Sequence, residues 1–140
     1  MTNRRLDCMV KDQNPLVMSE SETVGKACAA MYRRRAGSIL VVDGHEHLSG
    51  IFTGRDAVRV LANGADAYTM PLVLAMTRNP TTIHPAQRAI DALRIMSDSG
   101  FRHLPVVEND RIWGVVSRGD FKGMELDRLD DDEHLAECIW

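Results

Sequence analysis

Two copies of one short pattern carry the residues best suited to chemistry. Residues 50–56 and 114–120 both read glycine, two apolar residues, a hydroxyl residue, two spacers and an aspartate. In each copy the apolar run predicts a strand end, and the hydroxyl with an acid three residues later is the capping-box spacing of a helix start. Unpaired amides and the dipole at such a start can bind phosphate. One copy alone would be an ordinary helix cap, whereas the repetition favours a binding role.

The residues around the first copy predict the order β-α-β-β-α. Periodic apolar positions, turn dipeptides and stop signals mark each boundary. The predicted elements are a strand at 16–18, a helix from Val24 to the stop signal Ala36-Gly37, strands at 38–42 and 48–53 joined at Asp43-Gly44, and a helix at 54–61 closed by Asn63-Gly64. A linker at 65–76 follows, with Pro71 predicted as the first residue of a short helix.

The same order begins again in the second half of the chain. The predicted elements are a strand at 81–83, a helix with the stripe Ala89, Leu93 and Met96 stopped by Gly100, strands at 104–107 and 112–117 joined at Asn109-Asp110, and a last helix from Asp120. Each half is too small to bury its apolar faces alone. We therefore predict an α/β chain of two repeats that pack with pseudo-two-fold symmetry and form two matching clefts.

Two segments lie outside this duplication. Residues 1–13 are polar and predict an arm or short helix. The acidic tail at 128–140 contains the run 130–133 together with apolar residues. Such a tail is either a solvated face or a helix that docks on a partner chain.

Composition limits the class of protein. The chain has 140 residues, of which 44% are hydrophobic, and a formal net charge of −3. These values predict a folded protein and disfavour a nucleic-acid module, despite the local cluster Arg33, Arg34 and Arg35. The first residues lead into no signal-like apolar run, and no run of membrane-spanning length occurs, which predicts a cytoplasmic protein.

The remaining reactive side chains form no recognisable metal or catalytic set. Cys8, Cys28 and Cys138 lack metal-type or disulfide-type spacing, so they are predicted to be reduced thiols. His45 and His47 alone do not complete a metal site. No nucleophile and base pair is evident. We predict neither a metal nor a catalytic residue, and therefore not an enzyme.

The chain resembles a tandem pair of CBS domains, the cystathionine-β-synthase-type module. The resemblance spans roughly residues 8–125 and is clearest in the second half, at 76–80, 102–107 and 114–120. It implies a first CBS domain at 8–67 and a second at 71–127. The first half departs from the family pattern at 37–40, where a basic residue and proline are frequent in the family.

The resemblance implies a regulatory sensor that binds AMP, ADP, ATP or a related adenosyl ligand. In it Asp56 and Asp120 would accept hydrogen bonds from ribose, and the hydroxyl residues before them would face phosphate. Arginine and histidine side chains would add donors, and backbone would border adenine. The implied nucleotide-binding residues are Asn14, Pro15, Leu16, Gly37, Ser38, Thr53, Arg55, Asp56, Pro80, Thr81, Thr82, Arg102, His103, Ser117, Arg118 and Asp120.

The resemblance also implies a homodimer that signals to an unidentified effector protein. Because Gly37 and Ser38 stand where the second half has Arg102 and His103, we predict unequal clefts and assign the tighter one to Asp120. The alternative is that pseudo-symmetry brings Arg102 close to the Asp56 cleft. The alternatives are a structural dimerisation module with empty clefts and an enzyme of nucleotide metabolism that uses the same clefts.

Overall fold

The computed structural model describes residues 3–121 and shows a mixed α+β chain with two repeats. The helices are α1 Leu6–Val10, α2 Val24–Arg34, α3 Gly54–Ala62, α4 Leu72–Ala75 and α5 Ala89–Ser99, and a 3-10 turn covers Arg118–Asp120. The strands are β1 Val17–Ser19, β2 Ser38–Val42, β3 Leu48–Thr53, β4 Thr77–Arg78, β5 His103–Glu108 and β6 Arg111–Ser117.

The chain divides into two compact units. Residues 14–81 form the first unit, and residues 3–13 together with 82–121 belong to the second. The N-terminal arm, including α1, therefore folds with the second repeat although it precedes the first repeat in the chain.

The first unit is organised on a four-stranded sheet in the order β1-β2-β3-β4. The β1 and β2 strands are parallel, and the other two pairs are antiparallel. Thr23 begins α2 by accepting a hydrogen bond from the Lys26 amide, and the apolar face of that helix covers the sheet. The core residues are Val24, Ala27, Met31, Ile39, Val41, Phe52, Val60, Leu72, Ala75 and Met76.

The second unit is organised on the antiparallel β5–β6 hairpin. Asn109 and Asp110 both have positive φ, as a tight two-residue turn requires. A parallel bridge joins Ile83 to Val106, as β1 joins β2 in the first unit. The core residues are Leu6, Val10, Ile83, Ala89, Ile90, Ala92, Leu93, Met96, Leu104, Val106, Val116 and Phe121.

Each unit takes a short helix from the chain segment that precedes the other repeat. α4 precedes the second repeat but packs against β3, and α1 precedes the first repeat but packs against β6. Glycine is required at both contacts. A Cβ on Gly50 would collide with the Met76 thioether, and one on Gly114 would lie 2.5 Å from Gln13 Oε1.

The structure confirms the hairpin strands at 38–42 and 48–53, but it moves several predicted boundaries. α2 ends at Arg34, before the predicted stop signal Ala36-Gly37, and the left-handed residue at its end is Arg35 (φ 53°), whose amide donates to the Met31 and Tyr32 carbonyls. Pro71 precedes α4 in an extended conformation instead of forming its first residue. β1 begins at Val17, one residue after the prediction.

The predicted strand at 81–83 is reduced to the single bridge at Ile83. The bridge uses the Ile83 amide, which donates to Pro105, and the Ile83 carbonyl, which accepts from Val107; extension to Thr81 would need an amide hydrogen on Pro105, which proline lacks. On the other side a turn begins at His84, whose carbonyl accepts a hydrogen bond from the Gln87 amide. The predicted start of a last helix at Asp120 is also wrong, since Asp120 closes a 3-10 turn. The acidic tail at 128–140 lies outside the described residues.

Candidate functional site

The two motif copies are held by the same backbone contact. The Gly54 amide donates to the Gly37 carbonyl at 3.3 Å, and the Arg118 amide donates to the Arg102 carbonyl at 2.9 Å. Each contact joins the end of the second hairpin strand to the residue before the first. The structure therefore makes Gly37 the counterpart of Arg102.

The next residues correspond in the same way. Ser38 pairs with Thr53 across β2 and β3, and His103 pairs with Ser117 across β5 and β6. Directly opposed residues of an antiparallel pair point to the same side of the sheet. A buried serine in the first unit thus occupies the place of a half-buried histidine in the second.

The segment before β1 reaches the same end of the first unit. The Leu16 carbonyl accepts a hydrogen bond from the Leu40 amide at 2.9 Å, and the Arg34 guanidinium donates to the Asn14 carbonyl. Residues 14–16 therefore lie beside the start of β2, near Gly37 and Ser38. Residues 14–16, one of the two segments predicted to border adenine, thus lie next to the first motif copy at 50–56.

The predicted residues around Pro80 are divided between the two units. Pro80 and Thr81 follow β4 in the first unit, and Thr82 precedes the Ile83 bridge in the second. Because that bridge is parallel, Thr82 lies toward the start of β5, the strand that carries His103.

The two motif aspartates have different surroundings. Asp56 is 3% exposed, and its carboxylate accepts hydrogen bonds from Thr53, Arg59 and Thr77. Asp120 is exposed, and within residues 3–121 its carboxylate contacts only the Ser117 amide, at 2.7 Å. Asp56 is thus engaged inside the protein, whereas the Asp120 carboxylate is exposed and accepts one hydrogen bond from residues 3–121.

The charge at the second motif copy is dominated by arginine. Arg102 is exposed and Arg118 is half-buried, and the backbone contact described above holds the two residues together. The pKa of His103 is lowered, mainly because burial penalises the charged imidazolium and also because Arg102 is close, while Asp120 acts in the opposite direction. A neutral imidazole with two arginines and a free carboxylate offers donors for an anion and acceptors for hydroxyl groups.

Sequence reasoning missed three residues that shape this region. Arg59 and Thr77 engage Asp56, and Gln13 binds the β6 backbone next to Gly114. The spacing of Asp56 and Arg59 is that of an i,i+3 ion pair on a helix, which is a readable signal. No local pattern in the sequence indicates the roles of Thr77 and Gln13, because Asp56 and Val115, which they bind, are distant from them in sequence.

The remaining side chains add no further site in the described part of the chain. Cys8 and Cys28 are free thiols, and burial raises the pKa of Cys28. Cys138 lies outside the described residues. Residues 3–121 contain no group of three or more His, Cys, Asp or Glu placed to hold a metal ion. None of the helices within that range is long and apolar enough to cross a bilayer.

Comparison with known proteins identifies the family. The sequence profile described as the CBS domain matches this chain twice, at residues 6–63 and 72–124. The chain belongs to the CBS domain family. The two matched CBS segments each contain one motif copy, at 50–56 and at 114–120.

Curated relatives include CBS domain-containing proteins. The CBS domain-containing protein CBSCBSPB2 of Arabidopsis thaliana is 42% identical over 102 residues, which are 72% of this chain and 19% of the relative. This CBS chain thus spans about a fifth of that relative's length. An uncharacterized 17.7 kDa protein of Acidianus ambivalens is 32% identical over 112 residues, covering 79% of this chain and 67% of the relative.

Solved CBS structures share the fold. The CBS-domain containing protein ATU1752 from Agrobacterium tumefaciens is similar with a TM-score of 0.77 and 28% identity, over 86% of this chain and 91% of that one. The CBS domain pair of protein MJ0100 has a TM-score of 0.72 and 26% identity, over 86% and 97% of the two chains. That structure is a complex with 5-methylthioadenosine and S-adenosyl-L-methionine.

Proposed function

We propose that this CBS pair is a regulatory module that binds an adenosyl nucleotide through Asp120. The observation that carries the proposal is the exposed Asp120 carboxylate beside Arg102, His103 and Arg118. The free carboxylate accepts hydrogen bonds from a ribose diol, and the cationic side chains donate to phosphate. Support comes from the MJ0100 pair, a similar CBS protein whose structure contains two adenosyl compounds.

The arrangement favours a phosphate-bearing ligand such as AMP at Asp120. Arg102 and Arg118 attract a phosphate, whereas methylthioadenosine has no anionic group for them to bind. In the first unit, the counterparts of Arg102 and His103 are Gly37 and Ser38, which add no charge. The Asp120 site is therefore the tighter one for AMP. Backbone next to Thr82 is proposed to border adenine.

We propose further that occupancy is passed to an effector protein in the cytoplasm, by a homodimer of this chain. Support for self-association comes from apolar side chains on the surface of the first unit. Val58 and Leu61 lie one turn apart on α3 and are 64% and 73% exposed, and Tyr32 on α2 is also exposed. Burial of such side chains against a second copy would stabilise a dimer.

Titration calorimetry with AMP and methylthioadenosine tests the binding proposal. Asp120→Ala is expected to abolish tight AMP binding, and Asp56→Ala to leave most of it. Arg102→Gln is expected to weaken AMP roughly tenfold to hundredfold, the effect of one charge-assisted hydrogen bond, and to leave methylthioadenosine nearly unchanged. Arg33→Gln is the matched control, because Arg33 is an exposed arginine outside the motif.

Two outcomes would contradict the proposal. If AMP, ATP, methylthioadenosine and S-adenosylmethionine all fail to raise the melting temperature at millimolar concentration, the module is structural. If incubation with ATP, ADP or AMP forms a product and Asp120→Ala abolishes that turnover, the protein is an enzyme.

A further inference from the structure

The carboxylate of Asp56 has all its acceptor positions engaged. Oδ2 accepts from the Thr53 amide at 2.9 Å and from the Thr53 hydroxyl at 3.2 Å. Oδ1 accepts from Arg59 Nη2 at 2.8 Å and from the Thr77 hydroxyl at 3.3 Å. A carboxylate offers about four lone-pair sites, so none remains for a ribose hydroxyl.

Arg59 connects Asp56 to a second element. The same Nη2 atom that donates to Asp56 also donates to the Ala75 carbonyl at 2.8 Å. That carbonyl belongs to the last residue of α4, and Thr77 follows in β4. We call the contacts of Arg59 with Asp56 and Ala75 the Arg59 latch. It joins the start of α3 to the linker segment, and Asp56 is its buried acceptor.

The second motif copy has no counterpart of the latch within the described residues. Asp120 is exposed, and among residues 3–121 its carboxylate accepts a hydrogen bond from the Ser117 amide alone. In sequence, the residue three positions after Asp56 is Arg59, whereas the residue three positions after Asp120 is Gly123. Glycine has no side chain that could occupy the carboxylate.

We propose that Arg59 determines how many adenosyl ligands one chain binds, by keeping the Asp56 carboxylate occupied so that Asp120 alone recognises ribose. The inference rests on the proposed function, because it concerns the same class of ligand. A ribose diol can reach Asp56 only by displacing Arg59 or Thr77, which breaks a hydrogen bond that the buried carboxylate already accepts. Removing Arg59 therefore exposes a second ribose acceptor.

Equilibrium binding of AMP to the full chain tests this inference. Wild-type protein is expected to bind one AMP per chain, and Asp120→Asn to lose it. Arg59→Gln is expected to gain a second AMP, with affinity at the Asp56 site raised roughly tenfold to hundredfold by the freed acceptor. The added site is expected to vanish in the double variant Arg59→Gln with Asp56→Asn. Arg33→Gln, which removes an exposed arginine outside the motif, is expected to bind one AMP per chain, as the wild type does.

A second variant keeps the test decisive if Arg59→Gln does not fold. Thr77→Val removes one donor from Oδ1 and leaves Arg59 in place, so a smaller gain at the Asp56 site is expected. A folded latch variant that still binds one AMP overturns the inference and leaves the proposed function intact. A wild-type chain that binds two AMP molecules, one of them lost in Asp56→Asn, also overturns it. A wild-type chain that binds no adenosyl ligand overturns the proposed function as well.

Discussion

The side chain of Gln13 binds both backbone groups of Val115. Gln13 Nε2 donates to the Val115 carbonyl at 2.8 Å, and Gln13 Oε1 accepts from the Val115 amide at 2.7 Å. The amide side chain thus pairs with β6 as a neighbouring strand would, and β4 pairs with the equivalent part of β3 in the first unit. The strand edge beside the second motif copy is therefore completed by one side chain.

Replacing Gln13 by alanine should destabilise the second unit. The variant loses two hydrogen bonds to β6, each of which contributes about 0.5–1.5 kcal/mol to the free energy of unfolding. Because Gln13 is exposed, water can replace part of this bonding, and we expect a total loss of about 1–2 kcal/mol. Chemical denaturation measures the change. Asp12→Ala is the control, since Asp12 is an exposed neighbour. Equal effects of the two substitutions would contradict the role of Gln13.

Gly114→Ala should be destabilising because the added methyl has no room. Its Cβ would lie 2.8 Å from the Val10 Cβ and 2.5 Å from Gln13 Oε1, so α1 must move away from β6. Overpacking of this kind costs about 1–3 kcal/mol in free energy of unfolding. Gly44→Ala has no heavy atom within 4 Å of the added Cβ, so its melting temperature should stay close to that of the wild type. A normal melting temperature for Gly114→Ala would refute the close contact.

The two motif aspartates should differ in their effect on stability. Asp56→Asn weakens the hydrogen bonds from Thr53, Arg59 and Thr77, and we expect a loss of about 1–3 kcal/mol because Arg59 itself stays hydrated. Asp120→Asn should change the free energy of unfolding by less than about 0.5 kcal/mol, as is usual for an exposed side chain. Denaturant titrations without ligand compare the two. The opposite order would show that Asp56 is not a structural residue.

The pKa of His103 predicts a pH dependence of stability. Its pKa in the folded protein is lowered from the ordinary value of 6.5, so in the window just below 6.5 the unfolded chain binds more protons than the folded one. Stability should therefore rise with pH through that window and fall as the solution becomes more acidic.

Thermal unfolding of His103→Gln between about pH 5 and pH 8 checks this dependence, because the variant lacks the titrating imidazole. Its loss of stability at acidic pH should be smaller than that of the wild type. His45→Gln is the comparison variant, since it removes an exposed histidine in the β2–β3 turn, away from the second motif copy. An unchanged pH profile in His103→Gln would rule out His103 as the source.

Self-association should depend on the exposed apolar face of α3. Light scattering at tens of micromolar is expected to give the mass of a dimer for the wild type. The double substitution Val58→Ser and Leu61→Ser should shift it toward the monomer, since both side chains are exposed within one chain and their loss leaves the core intact. A monomeric wild type, with and without nucleotide, would contradict the dimer.

The duplication and most secondary structure could be predicted from the sequence. Apolar periodicity, the Asn109-Asp110 turn and the Gly100 stop are local signals, and the hairpins and helices formed where those signals lie. The correspondence of Gly37 and Ser38 with Arg102 and His103 also followed from the repeat. The backbone contacts at the two strand ends confirm that correspondence.

Some predicted ends of helices and strands differ from the structure because backbone hydrogen bonds there follow a pattern that residue preferences alone do not indicate. At the end of α2 the left-handed residue is Arg35, one position before the Ala36-Gly37 signal, and its amide donates to the Met31 and Tyr32 carbonyls. Ile83 formed a single bridge because Pro105 has no amide hydrogen to donate to Thr81 and a turn begins at His84. Helix and strand propensities do not decide at which residue an element ends, because neighbouring end positions have similar energies.

The sequence by itself determined the two repeats, their motif residues and their family, because these depend on residue types at fixed spacing. Only the tertiary structure decided that Asp56 is buried and Asp120 is exposed. Asp56 is occupied by Thr77 from β4 and by Arg59, which also binds α4, and Gln13 reaches β6 from the other end of the chain. These contacts join segments far apart in sequence, so their formation depends on how the chain packs and has no local signal.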